Sequence, residues 1–177
     1  ANLFIKSGEL AKVIGKDAKV TQTFTADPAK TVFDGGLAVL IDLGTAGAAE
    51  AVASAVIDRK RGEVVGERSF GAGTEQQLFP LKSGDGLLLT VAKWASPNGT
   101  PFLGDDRATT GVKPSIEVKR PDTPEPLEVE TLVDQRNNPN PQATPTPKPA
   151  APKAVEDVQL KKALEVLQEK AMTQKAG

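Results

Sequence analysis

Residues 37–81 constrain this chain more than any other stretch. Leu37-Ala38-Val39-Leu40-Ile41 is a continuous apolar run bounded by Gly35-Gly36 and Gly44. That is the pattern of a strand buried on both faces. Gly44-Thr45-Ala46-Gly47-Ala48-Ala49 follows, a turn of small residues where backbone can approach a neighbour closely. From Ala48 to Lys60 the apolar positions Ala48, Ala51, Val52, Ala55 and Val56 keep helical spacing. Arg59, Lys60 and Arg61 suit a helix C-terminus, and Gly62 offers a cap. Val64-Val65 opens the next strand, and Phe70-Gly71-Ala72-Gly73-Thr74 forms a tight loop after it. Strand, helix and strand in this order imply a crossover unit and an α/β fold.

Two strings in this stretch resemble the C-terminal processing peptidases, also called tail-specific proteases. Val64-Val65-Gly66-Glu67-Arg68-Ser69-Phe70-Gly71-Ala72-Gly73-Thr74-Glu75-Gln76 is similar to the family's V-V-G-E-x-[ST]-F-G-K-G-[ST]-x-Q. Thr45-Ala46-Gly47-Ala48-Ala49-Glu50 is similar to its S-A-S-A-S-E. Further on, Leu87–Trp94 resembles L-x-L-T-x-A-x-[YW], and Ser96-Pro97-Asn98-Gly99 resembles the [ST]-P-x-G turn. Gly111–Val118 resembles the closing G-[IV]-x-P-D-x-x-V, with Ser115 where an Asp is usual. The series runs in order from Ala1 to Val118. The resemblance implies a mixed β-sheet with crossover helices, a spiral core of the ClpP/crotonase kind. It also implies a serine-type peptidase with a Ser/Lys dyad, often extended by a Gln.

The same alignment empties the dyad. The family's nucleophilic Ser lies three residues before the motif Glu, which is Glu50 here, so its position is Gly47. The family's general-base Lys falls at Ala72. Gln76 stands where the supporting Gln stands, and Asp58 where the helix Asp stands. A Ser/Lys dyad needs a hydroxyl to attack and an amine to take its proton. Gly47 and Ala72 supply neither. No catalytic set is intact, and the candidates for holding a peptide are Gly47, Ala48, Ala72 and Gln76.

Composition closes other routes. The chain has no His and no Cys, which removes Ser/His and Cys/His machinery, thiolate zinc sites and disulfide scaffolds. No metal site or cofactor is expected; Gly104-Asp105-Asp106 lacks the spacing of a calcium loop. A net charge of −1 without a basic face argues against nucleic acid as a partner. Of the 14 prolines, nine fall between Pro121 and Pro152. Residues 1–120 are therefore expected to form a partial peptidase-like core, residues 121–154 a Pro-rich extended spacer, and residues 155–177 an amphipathic helix. Within the spacer, Leu127–Val133 alternates enough to be an added edge strand.

Before the central stretch, Glu9–Ile14 and Lys19–Thr25 read as strands. After it, Gln76–Leu81 and Gly86–Trp94 read as a hairpin turning at Lys82–Gly86. Ala1–Ile5 resembles the end of a family helix, which implies upstream peptidase, PDZ and signal segments beyond this sequence. The resemblance further implies an extracytoplasmic location: periplasmic, membrane-associated or secreted. Asp157–Leu167 resembles the family's D-x-Q-L-x-K-A-L-E-x-L terminal helix, with docking on its own domain and pairing with a second copy equally compatible with its apolar stripe.

The expected function is a catalytically inactive homologue retained for binding unfolded or C-terminal peptide segments, or for assembly. Two other readings compete with it. One is an active endopeptidase using Thr45, Ser54 or Ser69 as nucleophile with Lys60 or Lys12 as base, or else a proteolytic enzyme whose active site was substituted on purpose to trap substrate. The other is a relative in fold alone, since the same architecture hosts acyl-thioester enzymes.

Overall fold

In the computed structural model, residues 1–121 and 156–175 are described. Among the described residues, seven strands separate into two sheets. The first is antiparallel, in the order β2-β1-β6-β5, with β1 Glu9–Ile14, β2 Val20–Thr25, β5 Thr74–Pro80 and β6 Gly86–Ala95. The second is parallel, in the order β3-β4-β7, with β3 Ala38–Ile41, β4 Glu63–Gly66 and β7 Ile116–Glu117. The mixed α/β class matches the sequence expectation. Helix α1, Ala48–Asp58, makes the β3-to-β4 crossover and packs on β1 and β4.

Helix α1 packs through small residues. Ala53, Ala55 and Val56 have no exposed surface, and Ser54 satisfies its hydroxyl on the Ala51 carbonyl at 3.2 Å. Small side chains let the helix axis approach both neighbours. Ala48, expected among the packed positions, is instead exposed at the helix start. Around α1 the core gathers Ile41, Ala53, Val56, Val64, Phe102 and Val112. Trp94 borders this core and stacks on Phe24 at 5.2 Å between ring centroids, which joins β6 to β2 across β1.

Strand β3 departs from the expected two-sided burial. Ile41 is buried, but Leu40 on the opposite face is 40% exposed. Helix α2, Val158–Lys175, packs against β3 and β4. It buries Ala163 and Val166, leaving Leu164 and Met172 exposed. Gln159, 1% exposed, donates to the Val118 carbonyl at 2.9 Å and accepts from Arg120 Nε at 3.2 Å. Residues 1–120 and α2 form one compact unit. The Pro-rich spacer and the expected strand at Leu127–Val133 lie outside the described residues.

Beyond Gln76 the β5–β6 hairpin is apolar on both faces. Leu78 sits opposite Leu88 on one face, and Phe79 opposite Leu87 on the other. All four are exposed. Among the described residues no helix is long and apolar enough to cross a membrane.

Candidate functional site

Two loops at the C-terminal ends of β3 and β4 build the site. The first, Asp42–Gly47, is held by Asp42. Its side chain accepts from Gly44 N at 2.9 Å, and its own N–H donates to Thr45 Oγ1 at 3.1 Å. The second, Ser69–Gly73, leads into β5. Phe70 N donates to the Thr45 carbonyl at 2.9 Å, which ties the loops together. Arg107 braces the second loop, donating to Phe70 O at 2.8 Å and Ser69 O at 3.3 Å.

Gly47 is the N-cap of α1 with φ 60° and ψ −120°. Side chains rarely enter that region, and a strained strand-to-helix turn of this kind is how a fold can present one residue at the head of a helix. A β-carbon built on Gly47 would have the Ala72 carbonyl oxygen as its nearest neighbour, at 3.9 Å. The head of α1 at residue 47 therefore lies beside the main chain of residue 72, where the gap between the loops is narrow. A β-carbon at 47 would sit in ordinary van der Waals contact with the Ala72 main chain, with no closer atom in its way. Ala48, the first residue of α1, has an N–H without a partner among the described residues, as a helix start leaves its first donors free.

Beneath the gap lies Glu50, at the third position of α1 and fully buried. Its Oε2 accepts from Gly47 N at 2.9 Å. Its Oε1 accepts from Ser69 Oγ at 2.5 Å and from Gly71 N at 2.7 Å. Ser69 Oγ in turn accepts from Val112 N at 2.7 Å. Among the described residues no Lys or Arg forms an ion pair with Glu50. Three donors and the positive end of the helix dipole satisfy the buried carboxylate instead. Gly71 closes the packing: a β-carbon there would lie 2.1 Å from Thr110 Cγ2 and 2.9 Å from Gly111 N.

The other candidate residues distribute as follows. Gln76 lies on the exposed stretch of β5, beside a β-bulge and paired with Thr90. Asp58 stands at the far end of α1, about 16 Å from Gly47 at 1.5 Å per residue, and accepts from Asn98 N at 3.0 Å. Its neighbour Arg59 reaches Glu9, donating Nε to the Glu9 carbonyl at 2.8 Å and lying 3.6 Å from its carboxylate. Ser69 is fully buried between Glu50 and Val112. Thr45 and Ser54 bond to their own local backbone. Lys12 pairs with Glu9 at 3.1 Å. Among the described residues no cluster of potential metal ligands occurs. Sequence reasoning used Glu50 only as a position marker. The signal it could have used was an acidic residue at the third position of a helix, where it can reach back to the cap.

The model of peptidase family S41 matches residues 1–118. A carboxy-terminal-processing protease of Bartonella bacilliformis is 33% identical over 118 residues, covering 67% of this chain and 26% of the relative. A chloroplastic C-terminal processing peptidase of Tetradesmus obliquus is 33% identical over 128 residues, covering 72% and 26%. The solved structure of a photosystem II D1 C-terminal processing protease superposes with a TM-score of 0.60 at 30% identity, over 72% of this chain and 31% of that one. The chain thus spans about a quarter of the length of these curated relatives. On the family match and these likenesses, the chain belongs to peptidase family S41, the family of the carboxy-terminal-processing proteases.

Proposed function

We propose that this chain keeps the frame of such a peptidase without its chemistry, and holds extended or C-terminal segments of protein substrates. One observation carries the reading: positions 47 and 72, which the family motifs assign to Ser and Lys, are Gly and Ala, and a β-carbon on residue 47 would lie 3.9 Å from the residue 72 carbonyl oxygen. Neither can attack a carbonyl or take a proton. The three other hydroxyls that could substitute are committed elsewhere, with Ser69 sealed under the site. The unpartnered Ala48 N–H supplies a donor for a peptide carbonyl at the gap. Gln76 supplies an amide farther along β5.

On this reading the location is extracytoplasmic. Assembly through α2 would use its outer residues Leu164 and Met172. The test is cleavage of reduced, unfolded α-lactalbumin by the chain and by its Gly47→Ser, Ala72→Lys double variant. The chain is expected to be inert and still to retain the labelled substrate. Cleavage by the unaltered chain, after repurification to constant specific activity, overturns the reading. It would then point to another nucleophile.

A further inference from the structure

The carboxylate beneath the gap does more than fill the core. Gly47 and Ala72 belong to segments that enter the site from different strands. The β3–β4 ladder aligns the roots of the two loops as far as Ile41 and Gly66, but beyond that point no ladder joins them. Two links span the loops near the gap: the Phe70 N to Thr45 O bond, and Glu50. Glu50 holds the first loop through one oxygen and the second loop through the other. Through Ser69 it also reaches the strand-entry loop at Val112. With no exposed surface, its bonds escape competition from water, and breaking one leaves a buried donor unpaired.

We propose that Glu50 is the positioning residue of the cleft. Its carboxylate fixes the distance between Gly47 and Ala72 on which peptide capture depends, with Ser69 as its relay to the 110–112 loop. This rests on the peptide-holding reading only in its second half; the fixing of the gap stands apart from it. The chemistry requires a carboxylate rather than any polar side chain. Two acceptor oxygens serve three donors. The amide of Glu50→Gln can keep Ser69 and Gly71 on its oxygen only by turning its NH2 group against the Gly47 N–H.

The first arm of the test reads the gap directly. The chain has no Cys, so nitroxide labels on Ala49→Cys and Glu75→Cys report the separation of the α1 start from β5 without background. One narrow distance distribution is expected with Glu50. Glu50→Gln is expected to add a second, longer population. An unchanged distribution in Glu50→Gln overturns the proposal. If Glu50→Gln does not fold, Ser69→Ala carries the same measurement, because it removes one donor and keeps the carboxylate. An unchanged distribution there overturns the proposal equally.

The second arm reads binding of a short fluorescein-labelled apolar peptide with a free C-terminus, by anisotropy. Glu50→Gln is expected to raise its Kd about tenfold, equivalent to about 1.4 kcal/mol. A widened gap with unchanged Kd overturns the link between gap and capture. A parent chain that binds no peptide overturns the proposed function, and the distance arm then decides the positioning role alone.

Discussion

Lys170 Nζ on α2 lies 2.6 Å from Glu63 Oε1 on β4, while Ser115 Oγ donates to the other oxygen of the same carboxylate at 2.7 Å. Glu63 is thus held below its ordinary value of 4.5, first by Lys170 and then by Ser115. The sign follows from linkage: a group whose folded value is lowered contributes stability above its unfolded value and loses it as pH falls through the folded one. Docking of α2 should therefore weaken below about pH 4.5. Lys170→Gln should flatten that part of the pH profile. Urea midpoints at several acid pH values check this, and a profile unchanged in Lys170→Gln would contradict it.

Gly47→Ala separates backbone strain from steric conflict. The nearest atom to the new methyl group is 3.9 Å away, so space is available. The dihedral angles remain unfavourable, and the variant should lose about 1–3 kcal/mol in chemical denaturation. The same cost falls on any serine placed there.

Phe102 is 2% exposed and joins the core cluster of Ile41, Val56 and Val64. It also lines the close approach to Gly73, whose added β-carbon would lie 2.7 Å from Phe102 Cβ. Phe102→Ala should cost about 3–5 kcal/mol. It should also shift the amide resonances of Gly71 and Gly73 in NMR spectra. Loss of stability with those resonances unmoved would show that the loop is braced from elsewhere.

Leu88 is 57% exposed and faces Leu78 across the hairpin. Leu88→Lys should change unfolding free energy by no more than about 0.5 kcal/mol. It should also raise the protein concentration at which light scattering begins, because an exposed apolar patch has been broken. A larger destabilisation would mean that the hairpin packs against something in solution.

Much of the architecture could be read from the sequence because the signals are local. The alternation of Lys19–Thr25, the apolar run ending at Ile41 and the turn chemistry at Lys82–Gly86 each declare their element within a few residues. Motif spacing assigns Gly47 and Ala72 to one site from the sequence alone. What the sequence hid depends on distance along the chain. The exposure of Leu40 follows from where α2 lies. The partner of Arg59 is Glu9, fifty positions earlier, rather than its neighbour Asp58. The work of Glu50 required Ser69 and Gly71 to arrive from another strand.

The docking of α2 also has a consequence in time. Glu63 and Lys170 are 107 residues apart in the chain. At ribosomal rates the second is made about 5–20 s after the first. For that interval β3 and β4 exist without the helix that packs on them, with Gly36, which lies against Leu167 of α2, open to whatever is nearby. Closure over so long a loop is slow for a domain of this size. A chaperone or a second nascent chain can therefore meet this face before its own helix does, and the arrival of α2 ends that exposure.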